Sequence, residues 1–176
     1  MKSLGMKLSV ALLFGMGIWL TGCNRNNEPP MEIELPVNEQ YLTANLEFSM
    51  SDEVTKDLIK PWANRQCVVN SLAEIPDDPF GFDESFYKIN FKYNTLLLCY
   101  QVHDYNVVSY TNRYYFNTVE DTYNWTIRLG INGTINEGDE RESVILSRYA
   151  LLVPKLPADA NVSVWFGLTD HGWVWD

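Results

Sequence analysis

The clearest pattern in the chain is an alternation in its second half. Tyr123, Trp125, Ile127 and Leu129 are apolar, and the residues between them, Asn124, Thr126 and Arg128, are polar. Successive side chains of a strand point to opposite faces, so this period of two predicts a strand with one buried face. Val162, Val164, Phe166 and Leu168 repeat it, with Ser163, Trp165 and Gly167 opposite. Residues 95–102 and 144–153 are longer apolar runs, which read as central strands covered on both faces. Residues 107–119 are rich in Tyr, Thr, Val and Phe, all good strand formers. Asp121-Thr122 then makes a hairpin turn into the Tyr123 strand, and Pro154 and Pro157 close the strand before them.

Helix is scarce. Ser51 can cap a helix over residues 52–60, with acids in its first turn, Lys60 at its end and Pro61 as a stop. Ser71-Leu72-Ala73-Glu74 has the form of a capping box that Pro76 limits to a single turn. Residues 77–84 and 131–143 are polar and read as exposed loops. The expected fold of residues 31–176 is therefore mostly β: one domain, an antiparallel β-sandwich or partly closed barrel, with one or two short helices.

The amino terminus has a different character. Lys2 and Lys7 precede an apolar run over residues 8–20. Its 13 residues suit a signal sequence and fall short of the ~20 that a spanning helix needs. Leu20-Thr21-Gly22-Cys23 follows, and it resembles the lipobox of bacterial lipoproteins. That resemblance implies cleavage of residues 1–22 and acylation of Cys23. Asn24-Arg25-Asn26-Asn27-Glu28-Pro29-Pro30 then forms a flexible tether over residues 23–30. Two or three acyl chains hold a protein to a membrane where one does so only marginally. The expected location is the bacterial cell envelope, anchored by lipid at the outer membrane, on its periplasmic or surface face.

Removing the two leader lysines leaves 11 basic against 23 acidic residues, a net charge of −12. An acidic surface repels phosphates, which sets nucleic acid aside as a partner. Cys67 and Cys99 sit in the apolar runs Gln66-Cys67-Val68-Val69 and Leu96-Leu97-Leu98-Cys99-Tyr100. In an oxidising compartment they can pair as a structural disulfide, or stay as two buried thiols. Neither has a base beside it, as a reactive thiol requires.

Ile89-Asn90-Phe91, Asn94-Thr95-Leu96-Leu97-Leu98, Leu151-Leu152-Val153-Pro154-Lys155-Leu156-Pro157 and Asn161-Val162-Ser163-Val164 follow one another in an order that resembles small Bacteroidetes cell-envelope lipoproteins of uncharacterised function. More loosely, residues 68–98 resemble the protease-complex subunit PrcB domain. The glycine-rich Thr-Gly-Gly-Tyr segment of that domain is missing, and residues 106–110 occupy its place. The resemblance implies a β-rich envelope module and carries no catalytic residues.

Chemical motifs are few. The two histidines, His103 and His171, each neighbour an aspartate, Asp104 and Asp170. Sequence neighbours on a strand face opposite ways, so neither pair forms an oriented dyad. There is no Gly-x-Ser-x-Gly elbow, no His-x-x-x-His, no Cys-x-x-Cys and no phosphate-cradling glycine loop. Glu137, Asp139, Glu140 and Glu142 lack calcium-loop spacing and read as a solvated loop. No enzyme, metal or cofactor is expected.

Aromatic residues make up 14% of the chain, and they are the remaining clue to function. Trp165, Trp173, Trp175, Tyr110 and Tyr114 are candidate ligand-binding rings, since exposed aromatics on a rigid sheet bury much area at low entropy cost. Filling the core is the other reading. The expected function is a lipid-anchored, non-catalytic binding module for a protein partner. The alternatives are a glycan-binding accessory lipoprotein of a polysaccharide-utilisation system and a protease inhibitor using residues 131–143.

Overall fold

The structure, a computed structural model, describes residues 31–49, 53–81, 83–134 and 143–170. Its strands are β1 (Glu32–Glu34), β2 (Glu39–Ser49), β3 (Gln66–Val69), β4 (Asn94–His103), β5 (Tyr105–Asn117), β6 (Thr122–Thr134), β7 (Ser143–Pro154) and β8 (Val162–Asp170). Helix α1 (Glu53–Ile59) is followed directly by a 3-10 turn, Lys60–Trp62. The α-helix ends at Ile59, ahead of Pro61, which sits at the start of the 3-10 turn, where its missing N–H costs nothing. The Ser71 segment forms the 3-10 turn Leu72–Glu74, and Glu84–Lys88 forms another. The capping box is half made: the Glu74 carboxylate accepts from the Asn70 N–H (2.8 Å) and the Ser71 hydroxyl (3.0 Å).

The strands form two four-stranded sheets, a front sheet in the order β1-β5-β6-β8 and a back sheet in the order β2-β7-β4-β3. This is a mostly β fold consistent with a sandwich, and no barrel closes. All pairings are antiparallel except β6 with β8. That exception has a simple cause. The chain leaves β6, runs back through β7 in the other sheet, and returns beside β6 in its original direction. At the β5–β6 hairpin, Asn117 Oδ1 accepts from the Val119 and Glu120 N–H groups (3.0 and 3.2 Å), and Asp121 takes a left-handed φ of 51°. Asp tolerates that conformation because its short side chain can bond locally.

The alternation predicted from sequence is what joins the sheets. Tyr114, Trp125, Ile127 and Leu129 of the front sheet pack on Leu97, Cys99, Tyr149, Leu151 and Val153 of the back sheet. The opposite face of the back sheet presents Leu96, Leu98, Tyr100, Leu146, Ala150 and Leu152, and Trp62, Phe86 and Ile89 cover it. So β4 and β7 carry apolar residues on both faces because both faces are buried, and the polar side chains among them, Thr95, His103, Ser147 and Arg148, are buried too. Each large side chain so buried contributes about 1.5–3 kcal/mol.

Three expectations need correction. Residues 77–84 are not simply an exposed loop. Asp78 and Arg148 are both 7% exposed, and Arg148 Nη1 donates to Asp78 Oδ2 (3.0 Å) and to the Gly81 carbonyl (3.2 Å). Tyr100 OH donates to Asp78 Oδ2 (2.7 Å), and the guanidinium lies 5.0 and 5.3 Å from the rings of Phe80 and Phe86. The segment is pinned to the back sheet and completes its cover. Second, no disulfide forms. Cys67 and Cys99 are free, with Cys67 packed against the outer layer of the back sheet and Cys99 in the core between the sheets. Side chains on opposite faces of one sheet cannot bridge. Burial also raises the Cys99 thiol pKa well above its ordinary value. Third, the expected loop over residues 131–143 begins later: residues 131–134 belong to β6, and half-buried Ile131 packs against the core between the sheets.

Candidate functional site

The outer face of the front sheet has no covering layer among the described residues. The period of two determines what it displays. β5 contributes Thr111, Arg113 and Tyr115; β6 contributes Asn124, Thr126 and Arg128; β8 contributes Ser163, Trp165 and Gly167. The register lines them up across the sheet: Arg113 opposite Thr126, Thr126 opposite Trp165, and Arg128 opposite Gly167.

Trp165 is 59% exposed on this face. Its ring reaches forward along the strand to Gly167. A Cβ at residue 167 would sit 2.7 and 2.9 Å from the indole carbons Cζ3 and Cη2, closer than atoms can pack, so glycine is what lets the indole lie flat there. The stem of Arg128 flanks the same glycine, 3.7 Å from that Cβ position. On one side of Trp165 and Arg128 lies a hollow of about 550 Å3, lined also by the paired Glu32 and Arg113 and by Thr111, Asn124, Thr126 and Ser163. On the other side lies one of about 430 Å3 that reaches Leu168 and Thr169. Both fall within the ~300–1,000 Å3 usual for ligand pockets.

The two cations on this face differ. Arg113 is engaged: it pairs with Glu34 through Nε, and with Glu32 through Nη1 at 2.7 Å. The hydrogen bond to Glu34, then the one to Glu32, raises its pKa further. Its guanidinium also lies 4.5 Å from the Tyr115 ring centre. Arg128 has no carboxylate partner among the described residues.

The candidate aromatics of the sequence separate on this geometry. Trp165 faces outward as its strand pattern implied. Tyr114 and Tyr110 do not reach that face. Tyr114 is buried between the sheets, and half-buried Tyr110 stacks on Tyr149 with ring centres 5.8 Å apart. Beyond the register shifts at the start of β5, Tyr110 and Tyr114 point inward, so both are core residues, and burial pushes the Tyr110 hydroxyl pKa up to about 12. Trp173 and Trp175 lie outside the described residues, as do Cys23, His171 and the acidic residues 137–142. Missed from the sequence were Arg128, Tyr115, Gly167 and the Arg113 pairing with Glu32 and Glu34. The alternation that exposed Trp165 also puts Arg128 and Gly167 on the open faces of their strands.

His103, the last residue of β4, is buried. Its Nδ1 lies 3.0 Å from the Tyr105 carbonyl oxygen, and its Nε2 lies 2.8 Å from Ser147 Oγ, which also meets Asn45 Oδ1 at 2.8 Å. A carbonyl only accepts, so Nδ1 carries the proton. Burial lowers the His103 pKa and favours the neutral ring. A serine beside a histidine suggests a nucleophile and its base, but Ser147 is 1% exposed and no carboxylate orients the ring. This network ties the β4–β5 corner to β7 and β2.

No group of three or more metal-ligating side chains occurs among the described residues, and no helix there is long and apolar enough to cross a membrane. Comparison with protein-family models, with curated proteins and with solved structures gave no match.

Proposed function

We propose that this chain is a lipid-anchored, non-catalytic binding module of the bacterial cell envelope, displaying the outer face of its front sheet to a partner. The observation that carries the reading is Trp165: an exposed indole, seated on a glycine, between two hollows on a rigid sheet. Sites on regular strands hold side chains more firmly than sites on loops, and an indole in a fixed pose loses little entropy on binding. The Leu20-Thr21-Gly22-Cys23 segment supports the tether. An anchored module needs no catalytic constellation, and the buried Ser147–His103 pair offers none that substrate can reach.

A second reading, a glycan-binding accessory lipoprotein, is favoured by the hydroxyl and amide groups of Thr111, Thr126, Asn124 and Ser163 around the indole. Cosedimentation with envelopes of the host strain lacking this protein tests the binding role. Full-length chain should bind. Trp165→Ala should lose at least about tenfold in affinity, or 1.4 kcal/mol, while keeping its unfolding midpoint. Tyr93→Ala, an exposed ring outside the front sheet, should bind as wild type does. Equal binding by all three proteins would remove the site.

A further inference from the structure

We infer that the occupant of this face is an acidic oligosaccharide, a sugar chain bearing carboxylates, laid across Trp165 with Arg128 taking a carboxylate. The inference rests on the binding-module reading and names its ligand.

Three observations lead there. The first is the pair of hollows: Trp165 and Arg128 line both, so they stand on the ridge between them. A single small molecule would need one pocket. A chain of repeating units fills two neighbouring hollows with successive units and crosses the indole between them.

The second is the lining. A pyranose ring presents a face of C–H groups and a rim of hydroxyls. The indole supplies a flat apolar surface for the first. Thr111, Thr126, Ser163 and Asn124 supply short donors and acceptors for the second. A protein partner would meet the wrong surface. The core of a protein interface is apolar and depleted of charge, whereas here polar and ionic side chains surround a single indole, with Tyr115 already under Arg113.

The third is charge. The carboxylates brought to this face from β1, Glu32 and Glu34, are both taken by Arg113. Arg128, which lines both hollows with Trp165, has no carboxylate partner among the described residues. Guanidinium binds carboxylate in a bidentate fork, stronger than a neutral hydrogen bond and specific in direction. The chain as a whole carries −10, which repels polyanions. An acidic glycan therefore cannot bind by general attraction and must use this local cation.

The test is calorimetric titration of the full-length chain, at physiological ionic strength, with oligosaccharides of polygalacturonate, alginate and hyaluronate. Each is paired with the same oligosaccharide after its carboxylates have been reduced to alcohols. At least one acidic form should bind, and its reduced counterpart should bind at least about tenfold more weakly, as loss of a charge-assisted pair implies. Arg128→Gln should abolish the preference. Gly167→Ala should weaken binding to both forms, because the added methyl displaces the indole from its seat. Three results would overturn the inference: no acidic form binds; wild type binds acidic and reduced forms equally; or Arg128→Gln keeps the preference. Envelope binding that still depends on Trp165, survives glycan oxidation and is lost on protease treatment of the envelopes would point to a protein. That would overturn the glycan while sparing the binding face.

Discussion

The buried ion pair that fastens the 77–84 segment should behave as a unit. Asp78→Ala removes the carboxylate that faces Arg148 and accepts the Tyr100 hydroxyl. Breaking a buried pair from one side costs about 3–5 kcal/mol because it strands the other charge. Orphaning the tyrosine hydroxyl adds about 1–3 kcal/mol. Asp83 works the other way. It lies 3.8 Å from Arg148 and is partly exposed, so it takes up some of the stranded charge. The net expectation is a loss of about 4 kcal/mol, a large share of the ~5–15 kcal/mol that holds a domain together. Arg148→Met should cost less. Asp78 keeps donors in Tyr100 OH and the Phe80 N–H (3.0 Å), and methionine can fill the slot between Phe80 and Phe86. The double variant carries no buried charge there and should lie within about 2 kcal/mol of wild type. Urea unfolding, followed by tryptophan fluorescence, measures all four proteins by linear extrapolation. The reasoning predicts a coupling of at least about 2 kcal/mol between the two sites. Losses that simply add, or an Asp78→Ala loss under about 1 kcal/mol, would refute it.

Other expectations follow from the same structure. Trp125→Ala, at a position with no exposure, should cost about 3–5 kcal/mol, while Trp165→Ala should stay within about 0.5 kcal/mol of wild type in the same urea assay. His103 has a lowered pKa in the fold, so between its ordinary value and its folded one the unfolded chain binds the proton and the native chain does not. Stability owed to this group is thus full above about pH 6.5 and declines as pH falls below it, by at most about 1.4 kcal/mol per pH unit. Urea midpoints between pH 7.5 and 5.5 should show a drop that His103→Gln removes; equal slopes in the two proteins would contradict the buried neutral ring. Cys99 should resist alkylation until the chain unfolds, and intact mass should show both Cys67 and Cys99 reduced; a mass lower by two hydrogens would contradict their placement on opposite faces.

Much of the fold was legible because one face of a strand leaves a plain mark. Trp125, Ile127 and Leu129 announced the core between the sheets, and the long apolar runs of β4 and β7 announced a sheet covered on both sides. The edges were harder. β1 is Glu-Ile-Glu, held by Arg113 far along the chain, and no local pattern encodes that pairing. In β2, Leu46 and Phe48 do alternate with Asn45, Glu47 and Ser49, but an edge strand buries too little for the signal to stand out. The tyrosines misled for a related reason. Strand period gives the face of Tyr110 and Tyr114 only once the inner face of β5 is known, and β5 lacks the clean alternation of β6. The Asp78–Arg148 pair joins residues 70 positions apart, so burial of a nominal loop was beyond local reading. Trp165 was correctly placed on an open face, and what sequence could not supply was its seat on Gly167 and the two hollows it lines together with Arg128.

Oxidative footprinting on living cells tests the central claim most directly. In purified protein Trp165 should be readily oxidised, along with the exposed Tyr93. On the host envelope, Trp165 should become protected while Tyr93 stays reactive. Oxidation of Trp165 at the same rate in both settings would mean that nothing in the envelope occupies this face.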